Sequence, residues 1–183
     1  MLNKKNFEEI RKELENFEKK REETITNSRD VIKLSKQIIY AVHRNDLKEA
    51  STLVKEIKLK IKKLDESKNY DTGISNVAFQ EYVEALVLYF FVKEEKVLTH
   101  KELNVTIEAY LLGLCDLTGE LGRKCVHDAI KNEKKSVLKN RDLIEEIYGE
   151  FLKLDLRNGE LRKKSDSIKW NLNKVEDLVL SLK

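Results

Sequence analysis

Not one proline occurs in this chain of 183 residues, and glycine occurs only six times. Nothing in the backbone chemistry therefore interrupts long helices. The apolar residues use that freedom. Phe7, Ile10, Leu14 and Phe17 follow 3-4-3 spacing, and the phase continues through Thr24, Val31, Ile38 and Val42. Arg21, Ser28 and Ser35 fall in register on the same seam. This is a coiled-coil-like stripe along a helix of roughly 60 Å. Such a helix must extend from the body or be covered by something equally long.

The same period recurs downstream. "RND" at 44–46 supplies a stop, with Asp46 as N-cap of a second helix carrying Leu47, Ala50, Val54, Ile57, Ile61 and Leu64. "DESKNYDTGIS" (65–75) is the clearest loop. A third helix is expected over 75–96. The connector "LTHKELNV" follows, where Thr99 and Glu102 fit a capping box. A fourth helix is expected over 106–132, with Gly113, Gly119 and Gly122 inside it for close approach of a neighbour, and a fifth over 136–154. After "DLRNGE", Leu161, Ser165, Ile168, Leu172, Val175, Val179 and Leu182 form a heptad in the last helix. No segment alternates as a strand would. The fold class is all-α, a bundle of about six or seven helices with a long N-terminal helix, in one domain over 1–183. The heptad seams favour self-association.

Net charge is +3, from 36 basic and 33 acidic side chains, so any basic surface must come from local segregation. Cys115 and Cys125 are ten residues apart in one helix, about 15 Å, too far to pair. They read as reduced and intracellular. The opening "MLNKKNFEEIRKELENFEKK" has no apolar h-region, and the longest apolar run, "ALVLYFFV", has eight residues. Neither a signal peptide nor a membrane span is expected, and the expected location is cytoplasmic.

The chemistry concentrates in "FQEYVEALVLYFFV" (79–92). This is the most apolar helix, yet Glu81 and Glu84 lie about 60° apart on it. Asp116 and Glu120 are spaced i, i+4 on the fourth helix, also in apolar surroundings. Buried carboxylates cost several kcal/mol each unless compensated or protonated. A hard divalent cation would compensate them, and so would nearby Lys or Arg on a merely polar helix edge. There is no HExxH, Glu-x-x-His or cysteine cluster to suggest zinc or a di-iron centre.

"FQEYVEA" followed by "YLLGLCDLTGELGRKC" resembles the translin/TRAX family, and in particular translin-associated factor X. "SRDVIKLSKQIIYAVHR" (28–44) and "LRKKSDSIKWNLNKVEDLVLSL" resemble that family's first and last helices. The resemblance runs from about residue 20 to the end. It implies a translin-like helical subunit of a hollow octamer that binds single-stranded RNA or DNA. It further implies a metal-dependent endoribonuclease site made of acids. Glu81, Glu84, Asp116 and Glu120 match that site and are by resemblance the Mg²⁺- or Mn²⁺-binding, catalytic residues. Glu81, Glu84 and Asp116 would hold the metal, and Glu120 would be a ligand or orient the attacking water.

The sequence also departs from its relatives. Ala109 stands where they carry an acid, with Glu108 one place earlier, and "SNVAFQEYVEA" lacks the basic and histidine cluster of translin's third helix. The shorter connector suits an archaeal-type relative that assembles with copies of itself, a translin-like partner being the alternative. For the nucleic acid the basic candidates are Lys19, Lys20, Arg21, Arg29, Lys36, Arg123 and Lys124, together with "RKK" at 162–164. His127 reads as a proton shuttle or a polar helix-end residue, and Trp170 and Tyr148 as packing residues. The competing functions are a Mg²⁺-dependent endoribonuclease on single-stranded RNA, a translin-like binder that does not cut, and a structural coiled coil.

Overall fold

The computed structural model describes residues 2–64, 70 and 72–182. Its regular elements are all helices: α1 (Lys4–His43), α2 (Leu47–Lys60) with a 3-10 turn Ile61–Lys63, α3 (Ile74–Glu94), α4 (His100–Leu103), α5 (Ile107–Ile130), α6 (Lys134–Phe151) and α7 (Glu160–Ser181). The all-α expectation holds. Most of the expected loop 65–75 lies outside the described residues. No helix among them is long and apolar enough to cross a membrane.

Local chemistry sets the boundaries. Asn45 takes a left-handed φ of 61° and ends α1. The Asp46 carboxylate accepts from the Glu49 N–H at 2.9 Å and starts α2. Glu95, at φ 55°, stops α3 two residues before the expected end. The Thr99–Glu102 capping box forms as read from the sequence and opens the one-turn α4 inside what the spacing gave as plain connector. The α6 helix stops at Phe151, three residues early.

The α3 helix is the hub. Val83, Ala85, Leu86, Val87 and Leu88 are fully buried, so this helix is apolar on every side and must be surrounded. It packs between α1 and α5, α7 packs on the far side of α5, and α6 bridges α5 and α7. The α2 helix folds back along α1. One apolar core runs through all the long helices.

Two of the seams behave differently from a continuous stripe. On α1, burial begins at Ser28 and runs through Val31, Leu34, Ile38 and Val42 to His43. Every residue from Leu2 to Lys20 is exposed, so the N-terminal turns project from the body. On α7, Ile168, Leu172 and Val175 are buried and the ends of the heptad only partly so.

Of the three α5 glycines, Gly113 is the one that close approach demands. A Cβ there would stand 2.7 Å from Val83 Cβ and 2.9 Å from the Gln80 carbonyl oxygen. At Gly119 and Gly122 the nearest atoms would be at ordinary contact distance, 3.7 and 3.6 Å. We predict that Gly113→Ala destabilises the protein by about 1–3 kcal/mol through overpacking, despite the better helix propensity of alanine. Gly119→Ala should be neutral or stabilising. Urea unfolding of both variants checks this, and equal midpoints would show that α3 and α5 can separate at no cost.

Candidate active site

All four acids open into one cleft of about 680 Å³. The α3 helix contributes Glu81 and Glu84, α5 contributes Cys115, Asp116, Glu120 and Arg123, α1 contributes Lys36, Ile39 and Tyr40, and α7 contributes Ser167 and Asn171. The reason is the packing order. The two acid pairs lie on the facing sides of α3 and α5, and the flanking helices α1 and α7 wall the gap. Asn171 donates to Thr118 Oγ1 at 2.9 Å, and Thr118 donates to the Cys115 carbonyl at 2.7 Å, tying α7 to the α5 side of the cleft.

Three of the acids have cationic neighbours. Lys164, reaching in from α7, donates to Asp116 at 2.6 Å and to Gln80 Oε1 at 3.4 Å. Lys36 Nζ is 3.8 Å from Glu81. Glu120 is bonded to His43 Nε2, with Arg123 3.6 Å away. The fourth acid, Glu84, is only 8% exposed and has no hydrogen bond or ion pair among the described residues. As the side chains stand, no three carboxylate, imidazole or thiol groups among the described residues are gathered closely enough to hold an ion. The donor set nevertheless suits a hard divalent cation: oxygen ligands only, with one carboxylate left without a counter-charge.

The electrostatics follow from that arrangement. Burial, then the charges of Asp116, Glu81 and Glu120, push the Glu84 carboxyl up to about 8, against the weaker pull of Lys164. Burial also raises Glu81, with Lys36 opposing. Burial acts to raise Glu120 as well, but the bond from His43 and the charge of Arg123 outweigh it and hold that carboxyl below its usual value. Cys115 lines the cleft, but burial and then Asp116 push its thiol up to about 12, so it is a neutral wall and no nucleophile.

Most of the basic candidates can be placed. Lys36 and Arg123 line the acid cleft. Arg29 is exposed one heptad before Lys36 on α1. Lys19 and Lys20 are exposed on the projecting turns, about 24 Å from Lys36 along the helix. Arg21 is half-buried and ion-paired with Glu22 at 3.2 Å. Lys124 is a correction. It is 3% exposed and bonded to Asp128, which also accepts from Ser136 at 2.6 Å and from Asn140 at 3.3 Å. It is the buried counter-charge of Asp128, which ties α5 to α6, and no nucleic acid can reach it. Trp170, expected to pack, is 68% exposed.

Two site residues escaped the sequence reading. His43 appeared there only as part of a motif, and Lys164 only as one of three basic candidates for the nucleic acid in "RKK", not as a partner of the acids. His43 contacts Glu120 across 77 positions, and Lys164 contacts Asp116 across 48. No periodicity encodes such pairings. The one signal for His43 was its place in the "IIYAVH" run, where its neighbours Ala41 and Val42 are fully buried. His127 stacks on the His43 ring with centroids 5.4 Å apart.

A carboxyl raised from an ordinary 4.5 to about 8 binds its proton in the native state across a window where the unfolded chain has lost it. Native stability therefore falls as pH rises through that window, because the folded state must either keep the proton or bury the charge. We predict that Glu84→Gln, which cannot ionise, gains on the wild type as pH goes from 5 to 8. The gain should approach on the order of 1 kcal/mol per pH unit and level off above 8. Urea unfolding in EDTA at several pH values measures it, and a gap independent of pH would mean that Glu84 is already ionised in the native protein.

Known proteins are similar to this chain in sequence and in the arrangement of their helices. The sequence profile of the Translin family matches residues 19–183. An uncharacterized protein of Methanocaldococcus jannaschii is 33% identical over 169 residues, covering 88% of this chain and 76% of that protein. Translin-associated protein X of Rattus norvegicus is 22% identical over 224 residues, covering 97% of this chain and 77% of its own. Among solved structures, apo-NeC3PO superposes with a TM-score of 0.91 at 32% identity, over 100% of this chain and 99% of that one. AfC3PO in complex with duplex RNA gives 0.86 at 26% identity, over 97% and 96%. With its fold, its profile and its motifs in agreement, the chain belongs to the Translin family.

Proposed function

We propose that this protein is a metal-dependent endoribonuclease that cuts single-stranded RNA inside a homo-oligomeric shell, an octamer by analogy with the family. The observation that carries this reading is Glu84. A carboxylate 8% exposed, beside three other acids and without a cation or hydrogen-bond donor of its own, is an electrostatic deficit. A packing role gives no reason for it, whereas a site built to receive positive charge does.

Glu81, Glu84 and Asp116 would hold Mg²⁺, or Mn²⁺ in its place. The bound ion would neutralise a scissile phosphate and lower the pKa of a water molecule. The protein's own groups do the rest. Glu120, fixed by His43 behind it, accepts a hydrogen bond from the attacking water and sets its direction. Arg123, exposed at the cleft and 3.6 Å from Glu120, is placed to meet a phosphate oxygen. Lys36 and Lys164 are paired with Glu81 and Asp116, and would be available to the RNA backbone if the ion took over those carboxylates. RNA as the polymer is supported by AfC3PO, whose solved complex contains duplex RNA.

A second reading has its own observation. Lys164, Lys36 and the His43–Arg123 pair already neutralise Asp116, Glu81 and Glu120. In a binder of single-stranded RNA or DNA that does not cut, or one that awaits a translin-like partner, these would be permanent structural pairs.

The deciding experiment follows labelled single-stranded RNA, and a duplex of the same sequence, with purified protein in Mg²⁺, in Mn²⁺ and in EDTA. We expect cutting of the single strand with either metal and none in EDTA. Glu84→Gln should lower the cleavage rate by about 10²-fold or more while RNA retention changes only a few-fold. RNA held tightly and never cut under any metal would favour the binder. Cutting undiminished in Glu84→Gln would remove the acid cleft from the mechanism.

A further inference from the structure

The projecting turns of α1 are unlike the rest of the surface. From Leu2 to Lys20 every residue is exposed, including the seam residues Phe7 (42%), Ile10 (38%), Leu14 (59%) and Phe17 (38%). The ring of Tyr70 meets Phe17 edge-on at 5.6 Å and covers part of it. The segment is a continuous helix, Lys4–Lys20 being the first half of α1, and it extends about 25 Å. The family profile begins only at residue 19, whereas the match to apo-NeC3PO spans the whole chain. A 3-4-3 apolar stripe on a helix this narrow fits another helix by knobs-into-holes packing, and it fits a flat surface poorly.

The charges flanking the stripe indicate which helix. With Phe7 and Leu14 as a positions and Ile10 and Phe17 as d positions, Arg11 and Glu18 occupy e, and Glu13 and Lys20 occupy g. A parallel pair of copies would set Glu13 against the partner's Glu18, twice, with no compensating attraction. An antiparallel pair sets e against e and g against g. With Leu14 packed on the partner's Phe17 across a two-fold axis, Arg11 faces the partner's Glu18 and Glu13 faces the partner's Lys20. Both contacts occur twice, and all four are attractive. Sliding the antiparallel pair one heptad outward puts Arg11 on Arg11 and Glu13 on Glu13. One orientation and one register therefore match the flanking charges, with Arg21 and Thr24 of the same seam set against the partner's Ile10 and the partner's Phe7.

We infer that the first five turns of α1 are a self-recognition element. Two copies of this chain pair through them as an antiparallel coiled coil centred between Leu14 and Phe17. The inference concerns a surface remote from the acid cleft, and it stands or falls whether or not the protein cuts RNA.

The test uses full-length chains carrying Glu13→Cys or Lys20→Cys, mixed in equal amounts and oxidised mildly. The native Cys115 and Cys125 are buried. Proximity should make the mixed 13–20 disulfide exceed either homodisulfide by roughly ten-fold. In parallel, Arg11→Glu should weaken pairing, read as a loss of cross-linked product, and Arg11→Glu with Glu18→Arg should restore it, because the swapped charges still match. Helix content by circular dichroism controls for unfolding. A dominant 13–13 product would overturn the orientation. Absence of all three products, or indifference to Arg11→Glu, would overturn the pairing and leave the stripe to another face of the assembly.

Discussion

The structure depends on burying α3. A helix that is apolar on every side has no stable place except the centre, and once it is there the neighbours are fixed. The α1 and α5 helices must cover it, and Gly113 lets α5 come close enough to touch the backbone of α3 near Gln80. That burial is also what makes Glu81 and Glu84 chemically unusual. On a surface helix the same two residues would be ordinary solvated acids. Inside the bundle their charges are exposed to one another, and Glu84 holds a proton at pH values where a free glutamate has lost it.

The protein supplies counter-charge from three directions, and the distribution is uneven. Lys36 comes from α1, Lys164 from α7, and the His43–Arg123 pair approaches Glu120 from α1 and α5. Each of these partners pairs with one acid, and none pairs with Glu84, which feels only the weaker pull of Lys164. Lysines are well suited to such a role when it must be reversible. A single ammonium on a flexible stem can leave a carboxylate without moving the backbone, as a bidentate arginine could not do so easily. Histidine serves differently. His43 is 2% exposed and its Nδ1 has no partner among the described residues, so its ring is held by packing and its one bond goes to Glu120. The result is one acid held rigidly, two held by mobile cations and one held by none.

How much of this the sequence displayed depended on the range of the interaction. The acids were legible because each lies among apolar residues on its own helix, which is a local pattern. Asp46 and Thr99 with Glu102 were legible for the same reason, whereas close approach was expected at all three α5 glycines and only Gly113 shows it. His43 and Lys164 were not, since their partners are set by how helices far apart in the chain come together. Lys124 shows the opposite failure. Its i, i+4 partner Asp128 was in plain view, but the burial of the pair follows from α6, which brings Ser136 and Asn140 over it. Trp170 was read by residue type, and the heptad that buries Ile168 and Leu172 turns the tryptophan outward. The seam on α1 was correctly phased from Ser28 onward, but phase carries no information about which half the chain itself covers.

That division of α1 constrains how an assembly could use the cleft. The buried half carries Lys36 and His43 to the acids, and the exposed half carries the stripe. The two are parts of one helix with no proline and no break, so their separation is fixed. The two-fold axis of an antiparallel pair would cross α1 between Leu14 and Phe17. Lys36 is then about 30 Å from the axis, and the two clefts are about 60 Å apart at opposite ends of the pair. In that register the partner's helix would end beside Asn27, about 13 Å short of Lys36 along α1, so pairing through the stripe leaves the acid site to one chain. It would instead set the direction in which each cleft faces. In such an assembly, chemistry belongs to the single chain, where all four acids and their cations already reside, and the long helix transmits only orientation.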